Sequence, residues 1–345
     1  MEQENNTTKT QQEEKNSEKM EYPIIGKSKA VEQLLKQISR LAKTRRDIVI
    51  IGEAGVGKGA IAKNIHALSK QETGEDLPFA SLNLSVIDDK ELESILFGFE
   101  FGATGVSAST TKRGLFEIAN RGTVLIEEIE EASFRNQMKI LSFLNERTIR
   151  RLGSSEAEKV DVRLIITMKA TPKELFERHK LLESLYNKFS EFESVYVPPL
   201  RERPEDIPVL VKYYTSEICK ELGIGELVID INAIEVLVKQ TWKENIRELK
   251  AVIDRSVLFS TGGKFTLPQE LVDEKTEVVK MINNLETDQE FVLENSLDLI
   301  EKGIIKRALE KFGFNQTRAA HFLGMSEQTL RYKLKRLGIP VVKPK

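Results

Sequence analysis

Apolar side chains at Val31, Leu34, Leu35, Ile38 and Leu41 recur every three or four positions, the spacing of one buried stripe on an α-helix. The pattern then changes to Asp47-Ile48-Val49-Ile50-Ile51-Gly52, a short unbroken apolar run closed by glycine. Thr123-Val124-Leu125-Ile126 and Val162-Arg163-Leu164-Ile165-Ile166 repeat that form. Such runs have no polar face, and helical stretches separate them. They predict an α/β fold, a parallel sheet covered by helices on both faces. After Val197-Pro198-Pro199-Leu200 the strand pattern stops, and residues 207–222, 232–240 and 245–260 read as helices. The expected organisation is therefore a disordered polar leader over 1–21, an α/β unit over 22–200 and an all-α unit over 201–265. A linker over 266–292 and a last all-α unit over 293–345 follow.

Composition sharpens this picture in three places. The 345 residues are enough for two or three domains, each with a real core. One cysteine, Cys219, excludes a disulfide framework and a thiolate zinc cluster within one chain. The start lacks the apolar core of a signal peptide, and no run of about 18 apolar residues could cross a membrane, so a cytoplasmic protein is expected. Near-neutrality also hides a segregation of charge. Residues 301–345 carry eleven Lys/Arg against three Asp/Glu, while the whole chain has a formal net charge of −2. A basic tail on an acidic body points to a polyanion-binding module.

The strand Ile48-Val49-Ile50-Ile51 runs into Gly52-Glu53-Ala54-Gly55-Val56-Gly57-Lys58-Gly59-Ala60 and then into a helical stretch. This is the G-x-x-x-x-G-K spacing in its required setting, a strand before and a helix after. The glycines let backbone N–H groups turn toward phosphates, the helix N-terminus adds a positive dipole end, and Lys58 neutralises the β/γ-phosphates of a bound ATP. The general motif places Ser or Thr after the lysine as a Mg²⁺ ligand; Gly59 offers no hydroxyl. The second strand ends in Glu127-Glu128, acidic residues placed to hold Mg²⁺ and to orient a water. Glu127 is the expected metal-side residue, one methylene longer than the usual Asp.

With these landmarks in order, the chain resembles the AAA+ enhancer-binding activators of σ54 RNA polymerase over roughly residues 22–341. The resemblance rests on Ile24-Ile25-Gly26, residues 52–58, Leu96-Phe97-Gly98-Phe99-Glu100 and Arg113-Gly114-Leu115-Phe116-Glu117. It continues through Pro198-Pro199-Leu200-Arg201-Glu202-Arg203-Pro204-Glu205-Asp206-Ile207 and Trp242-Lys243-Glu244-Asn245-Ile246-Arg247-Glu248-Leu249. It implies an α/β core and helical lid that form ring oligomers, bind ATP between subunits and use hydrolysis to remodel σ54 holoenzyme. It also implies Glu128 as general base, Asn83 as the asparagine that switches it, Ile25 beside the nucleotide and Arg247 as the lid residue that reads bound phosphate. With only the short leader ahead of the core, no receiver or ligand-sensing domain is expected there.

Several departures fall on the working parts. The family's Gly-Ala-Phe-Thr-Gly-Ala loop, which touches σ54, reads Gly102-Ala103-Thr104-Gly105-Val106 here, without the central aromatic; Phe99 and Phe101 just before it are the available substitutes. The family's arginine fingers fall between 182–189 and Pro198-Pro199, yet no arginine lies between Arg178 and Arg201, and Lys188 is the nearest cation. A point charge does not reproduce a bidentate guanidinium. The family's sensor Thr-Asn corresponds to Met168-Lys169. Nucleotide binding with weak or absent hydrolysis and an impaired σ54 contact is the expectation. A working ATPase that remodels σ54 polymerase, or a regulatory subunit of a mixed ring with a relative, are the alternatives.

Residues 315–338 read as helix, tight turn at Gly324, helix, with Ala320, Leu323, Leu330, Leu334 and Leu337 as the apolar seam and Ser326 as an N-cap. The segment resembles the Fis-type helix-turn-helix. That resemblance implies phosphate contacts from Asn315, Thr317, Thr329 and Arg331. Glu327, Gln328, Tyr332 and Lys335 lie on the face suited to a major groove. The stripe Leu297, Ile300, Ile304, Ile305 and Leu309 is expected to pair with its twin, giving a dimer that binds an inverted repeat in DNA and, through the core, oligomers up to a hexameric ring. His66, His179 and His321 are scattered without metal-ligand spacing and receive no role, while Cys219 is expected as a small hydrophobe on a lid helix and Trp242 as core packing.

Overall fold

Five parallel strands form the main sheet of the computed structural model, in the order β2-β3-β4-β1-β5: β1 Ile48–Ile51, β2 Phe79–Asn83, β3 Thr123–Glu127, β4 Arg163–Met168 and β5 Glu193–Tyr196. The structure describes residues 22–103, 110–260, 262–268, 271, 301–305, 308–309 and 312–339. The leader, Thr104, Gly105, Val106 and almost all of the expected linker lie outside these residues, as do Leu297 and Ile300. Three of the five strands are the runs expected from sequence. β2 and β5, at the sheet's two edges, carry Ser81 or Glu193 and Ser194 among their few residues, and so lack the unbroken apolar signature of a central strand.

Alternation along β1 explains how one strand serves two layers. Ile48 and Ile50 pack with Leu34, Ile38 and Leu41 of helix α1 (Lys29–Ala42) and with Ile61 and Ile65 of α2 (Lys58–Thr73). Val49 and Ile51 face the other way, joining a core that includes Phe116, Ile140, Phe143 and Leu185. Ile140 and Phe143 come from α3 (Phe134–Glu146), and the Phe116 and Phe143 rings stack with centroids 3.7 Å apart. Both faces are thus covered by helices, and every residue of β1 and β4 is buried.

The lid helices follow: α4 (Ile207–Leu222), α5 (Ile231–Val238) and α6 (Asn245–Phe259). Cys219 and Trp242 are buried there, the indole Nε1 donating to the Leu237 carbonyl at 2.9 Å. Both are packing residues, as expected. Lid and core belong to one compact unit, Met1–Thr266, and Leu267–Lys345 forms a second. In the second unit α7 (Gln316–Phe322) and α8 (Glu327–Arg336) close over Ile305, Leu309, Ala320, Leu330, Leu334 and Leu337. Ile305 and Leu309, expected in a dimer stripe, are fully buried in this core, whereas Ile304 is exposed.

Candidate functional site

β1 delivers the chain into the phosphate loop, and the loop delivers it into α2. Gly55 and Gly57 adopt positive φ (76° and 103°), which L side chains rarely take. At Gly55 the need is also steric: a Cβ there would lie 1.9 Å from the Glu244 carbonyl of the lid. The Lys58 ammonium donates to the Gly52 and Glu53 carbonyls at 2.6 and 2.9 Å, and burial pushes it below the ordinary lysine range. Gly52 and Val56 face the interior: a Cβ at Gly52 would meet the Val197 carbonyl at 2.8 Å, and Val56 is buried.

A cleft of about 250 Å³ opens beside this loop, lined by Ala54, Gly55, Gly57, Lys58, Gly59, Asn83, Glu127, Glu128, Thr167, Ile246, Arg247 and Lys250. Most of the residues singled out from sequence therefore converge on one space. Val56, Ala60 and Ile25 are not part of that lining; Ile25 and Ala60 are half-buried outside it. Glu53 works on the lid instead. Its carboxylate takes both Arg201 Nη atoms at 2.7 and 2.6 Å and Asn245 Nδ2 at 3.2 Å. Asn245, fully buried, also donates to the Ala54 carbonyl and accepts from the Leu200 amide, while the Ile246 amide donates to Gly55. The lid helix is thereby tied to the phosphate loop, which brings Arg247 and Lys250 to the cleft mouth.

The acidic strand end behaves as two different residues. Glu127 completes β3, half-buried, and burial together with the neighbouring Glu128 charge raises its carboxyl above the usual range. Glu128 sits at φ 60°, ψ 57°, the left-handed region, which turns its side chain off the strand line; a residue without glycine's freedom is held there only by its surroundings. The Glu128 amide donates to Thr167 Oγ1 at 3.2 Å.

Lys169 is the residue whose part sequence reasoning missed. At that position it registered the loss of a polar amide, and not the arrival of a cation. The Lys169 ammonium lies 3.1 Å from Glu128 Oε2 and 2.9 Å from Glu131 Oε1, and its amide donates to Glu130 Oε1 at 2.8 Å. Despite partial burial these carboxylates hold the lysine above its ordinary value. Glu130 is buried, with Oε2 left unpaired, and burial raises its carboxyl. The left-handed turn at Glu128 parts Glu127, at the end of β3, from Glu130 and Glu131 further along the same acidic run. Asn83 lines the cleft, but its Oδ1 accepts from the Ser85 amide and hydroxyl at 2.9 and 2.7 Å. Lys188 pairs with Glu191 at 2.7 Å.

The loop that follows Phe97 distinguishes its two aromatics. Phe99 is 9% exposed and Phe101 is 71% exposed. Glu100 between them is held by Arg151 and Thr111, so the base of the loop is fixed with Phe101 outward.

In the second unit, Asn315 and Ser326 are N-caps, accepting from the Arg318 and Thr329 amides at 3.1 Å each. Gln328, Thr329, Arg331, Tyr332 and Lys335 are exposed on α8. Glu327 ties two of the expected contact residues together, accepting from Arg331 Nη2 at 2.5 Å and from Thr317 Oγ1 at 2.7 Å. A carboxylate thus pre-positions the guanidinium at the exposed start of the helix.

Three family profiles match in the order of these parts: "Sigma-54 interaction domain" over residues 24–194, "AAA+ ATPase lid domain" over 201–280, and "Bacterial regulatory protein, Fis family" over 296–337. The chain is similar to the regulatory protein AtoC of Escherichia coli, 34% identical over 319 residues, covering 92% of this chain and 68% of AtoC. It is 32% identical to the transcriptional regulatory protein XylR of Pseudomonas putida over 330 residues, covering 92% of this chain and 57% of XylR, so it spans little more than half of that relative. Among solved structures, NtrX from Brucella abortus in complex with ATP superposes with a TM-score of 0.65 at 28% identity, over 97% of this chain and 73% of NtrX. Among the described residues no helix is long and apolar enough to cross a membrane.

Proposed function

The chain belongs to the family of σ54-dependent AAA+ transcriptional activators that end in a Fis-type helix-turn-helix, and on that premise we propose that it is a DNA-binding regulator whose core binds ATP to set its assembly and hydrolyses it slowly. The observation that carries the slow step is the Lys169–Glu128 ion pair. A general base draws a proton from the attacking water through its carboxylate. Here an ammonium from the neighbouring strand end engages one of the two Glu128 oxygens, Oε2, at 3.1 Å and competes with the water for its negative charge. No arginine between Arg178 and Arg201 supplies a finger, and Lys188 is engaged by Glu191.

ATP binding is supported by the convergence of Lys58, Gly57, Gly59 and Arg247 on one cleft, and by the ATP-bound relative NtrX. Mg²⁺ fits the residues present. Among the described residues nothing hydrogen-bonds or ion-pairs the Glu127 carboxylate, which faces the cleft beside Gly59. Glu127 would hold the ion, which supplies neutralisation of β/γ-phosphate charge when bound. Lys58 and Arg247 contribute positive charge from the loop and the lid, and Glu53 with Asn245 holds the lid in reach. The test is a single-turnover reaction: trace labelled ATP with the full chain in excess is expected to remain ATP for minutes while fully bound. Complete conversion within seconds contradicts the proposal.

A second reading, an operative σ54 contact, is favoured by Phe101 alone, the exposed aromatic at a braced loop base. On that reading Phe101→Ala lowers binding to σ54 at least tenfold, and Phe99→Ala acts only through stability; pull-down of σ54 by the ATP-bound chain measures both. Equal behaviour of wild type and Phe101→Ala removes this reading.

For the tail we propose dimeric recognition of an inverted repeat, with half-sites about one helical turn, ~34 Å, apart. Arg331→Ala is expected to weaken binding evenly across sequences and to reduce the salt slope by about one. Glu327→Gln should do the reverse, because it frees Arg331 and removes a like charge facing phosphate. Affinity for random duplex should rise several-fold and the salt slope steepen, read by titration at two salt concentrations.

A further inference from the structure

The turn after β3 buries a carboxylic acid that the cleft chemistry leaves unused. Glu130 lies in the short 3₁₀ turn Ile129–Glu131, packs against β4 and is 6% exposed. Its Oε1 accepts the Lys169 amide at 2.8 Å, while Oε2 has no hydrogen-bond partner among the described residues. Buried carboxylate oxygens are nearly always paired. A proton on Oε2 removes the charge instead, the form that burial favours.

The charges around Glu130 tie that proton to the cleft. From β4 comes Lys169, whose ammonium is taken by Glu128 and Glu131 at 3.1 and 2.9 Å. Those two acids share the turn with Glu130 and carry charge of the same sign. From the start of α2 comes Lys58. Of the acids acting on its buried ammonium, Glu130 favours the charged lysine most, ahead of Glu128 and Glu127. The cation that balances Glu130 is therefore the one the phosphates need.

We propose that nucleotide binding is linked to proton uptake at Glu130: the β/γ-phosphates engage Lys58, and the unpaired Oε2 takes a proton from solvent as its counter-charge is drawn away. The inference rests on the reading that the cleft takes ATP. Bound polyphosphate adds negative charge near Glu130 and occupies the lysine that offset it, so the carboxyl keeps its proton to higher pH with nucleotide than without. ATP then binds more tightly below that interval than above it, and affinity falls as pH rises through it. Any assembly state that ATP sets follows pH in the same direction.

The experiment is calorimetry of ATP binding to the full chain in buffers of low and high ionisation enthalpy, in EDTA and again in saturating Mg²⁺. The dependence of the heat on buffer gives the protons exchanged. Glu130→Gln has equal size, keeps Oε1 for the Lys169 amide and cannot ionise, so contributions from ATP itself, Lys58 and Glu127 remain in both proteins. Near neutral pH, wild type is expected to take up about 0.5–1 proton more per ATP than the variant. The variant should bind ATP about tenfold more tightly than wild type at pH 8 and equally at pH 6. In wild type alone, uptake should fade toward pH 9. Equal proton numbers in the two proteins, or wild-type uptake that instead grows toward pH 9 as a titrating Lys58 requires, overturn the linkage and leave ATP binding intact. Failure of ATP to bind wild type in either condition overturns the nucleotide reading itself, and the linkage with it.

Discussion

Lys58→Ala is expected to abolish measurable ATP binding, a loss of at least a hundredfold from a wild-type affinity on the order of micromolar, about −8 kcal/mol. Lys58 is buried, and its ammonium is poised over the Gly52 and Glu53 carbonyls at the mouth of α2. Removing one partner of a buried charge pair costs about 2–5 kcal/mol, much of it from leaving the other charge uncompensated. Here that other charge is the β/γ-phosphate group, and among the described residues the other cations nearby are poor replacements for the lysine: Arg201 is held by Glu53, and Arg247 and Lys250 approach from the lid and are exposed. Calorimetry with ATP·Mg²⁺ measures the effect, and the melting temperature of the apo variant separates it from unfolding. Retention of affinity within threefold would mean that the loop does not cradle phosphate.

Turnover is the second large effect. We expect wild-type hydrolysis to be on the order of 10³-fold below that of a relative with its arginine fingers, about 4 kcal/mol of barrier. Lys188→Arg alone should recover little, because Glu191 already holds that side chain and Lys169 still occupies Glu128. Lys169→Asn restores a polar amide and frees the Glu128 carboxylate; about tenfold recovery is expected from it alone. The two together should exceed the product of the single gains, since neither a freed base nor a placed guanidinium completes the site without the other. Rates of the single and double variants at saturating ATP check this. A wild-type rate unchanged by Lys169→Asn removes the ion pair as the cause.

What could be read beforehand follows from where the physics is local. The central strands were legible because both faces of Ile48-Val49-Ile50-Ile51 are apolar; the edge strands β2 and β5 were not, since edge strands keep polar residues and alternate weakly. The phosphate loop was legible because its backbone needs glycines at fixed spacing, and Gly55 and Gly57 do adopt positive φ. The helix-turn-helix core was legible from 3.6-residue periodicity: Ala320, Leu330, Leu334 and Leu337 are buried and Leu323 is partly so. The Lys169–Glu128 and Glu327–Arg331–Thr317 contacts were not. The first joins residues 41 apart in number through adjacent strand ends, and the second joins Thr317 to the next helix. No spacing rule reports a side chain that reaches across the fold. Ile304, Ile305 and Leu309 illustrate the converse. One apolar stripe fits a dimer seam or a domain's own core equally well, and the buried pair serves the core.

Whether nucleotide is held without rapid turnover is decided by steady-state ATPase activity measured against protein concentration, with and without duplex DNA. Stoichiometric ATP binding is expected, with a rate near 10⁻³ s⁻¹, about a thousandfold under the ~1 s⁻¹ of working phosphoryl-transfer enzymes, at every concentration and with DNA present. A rate near 1 s⁻¹ that climbs steeply as the chain assembles would contradict it, and would make this a working motor in which other groups replace the missing arginine.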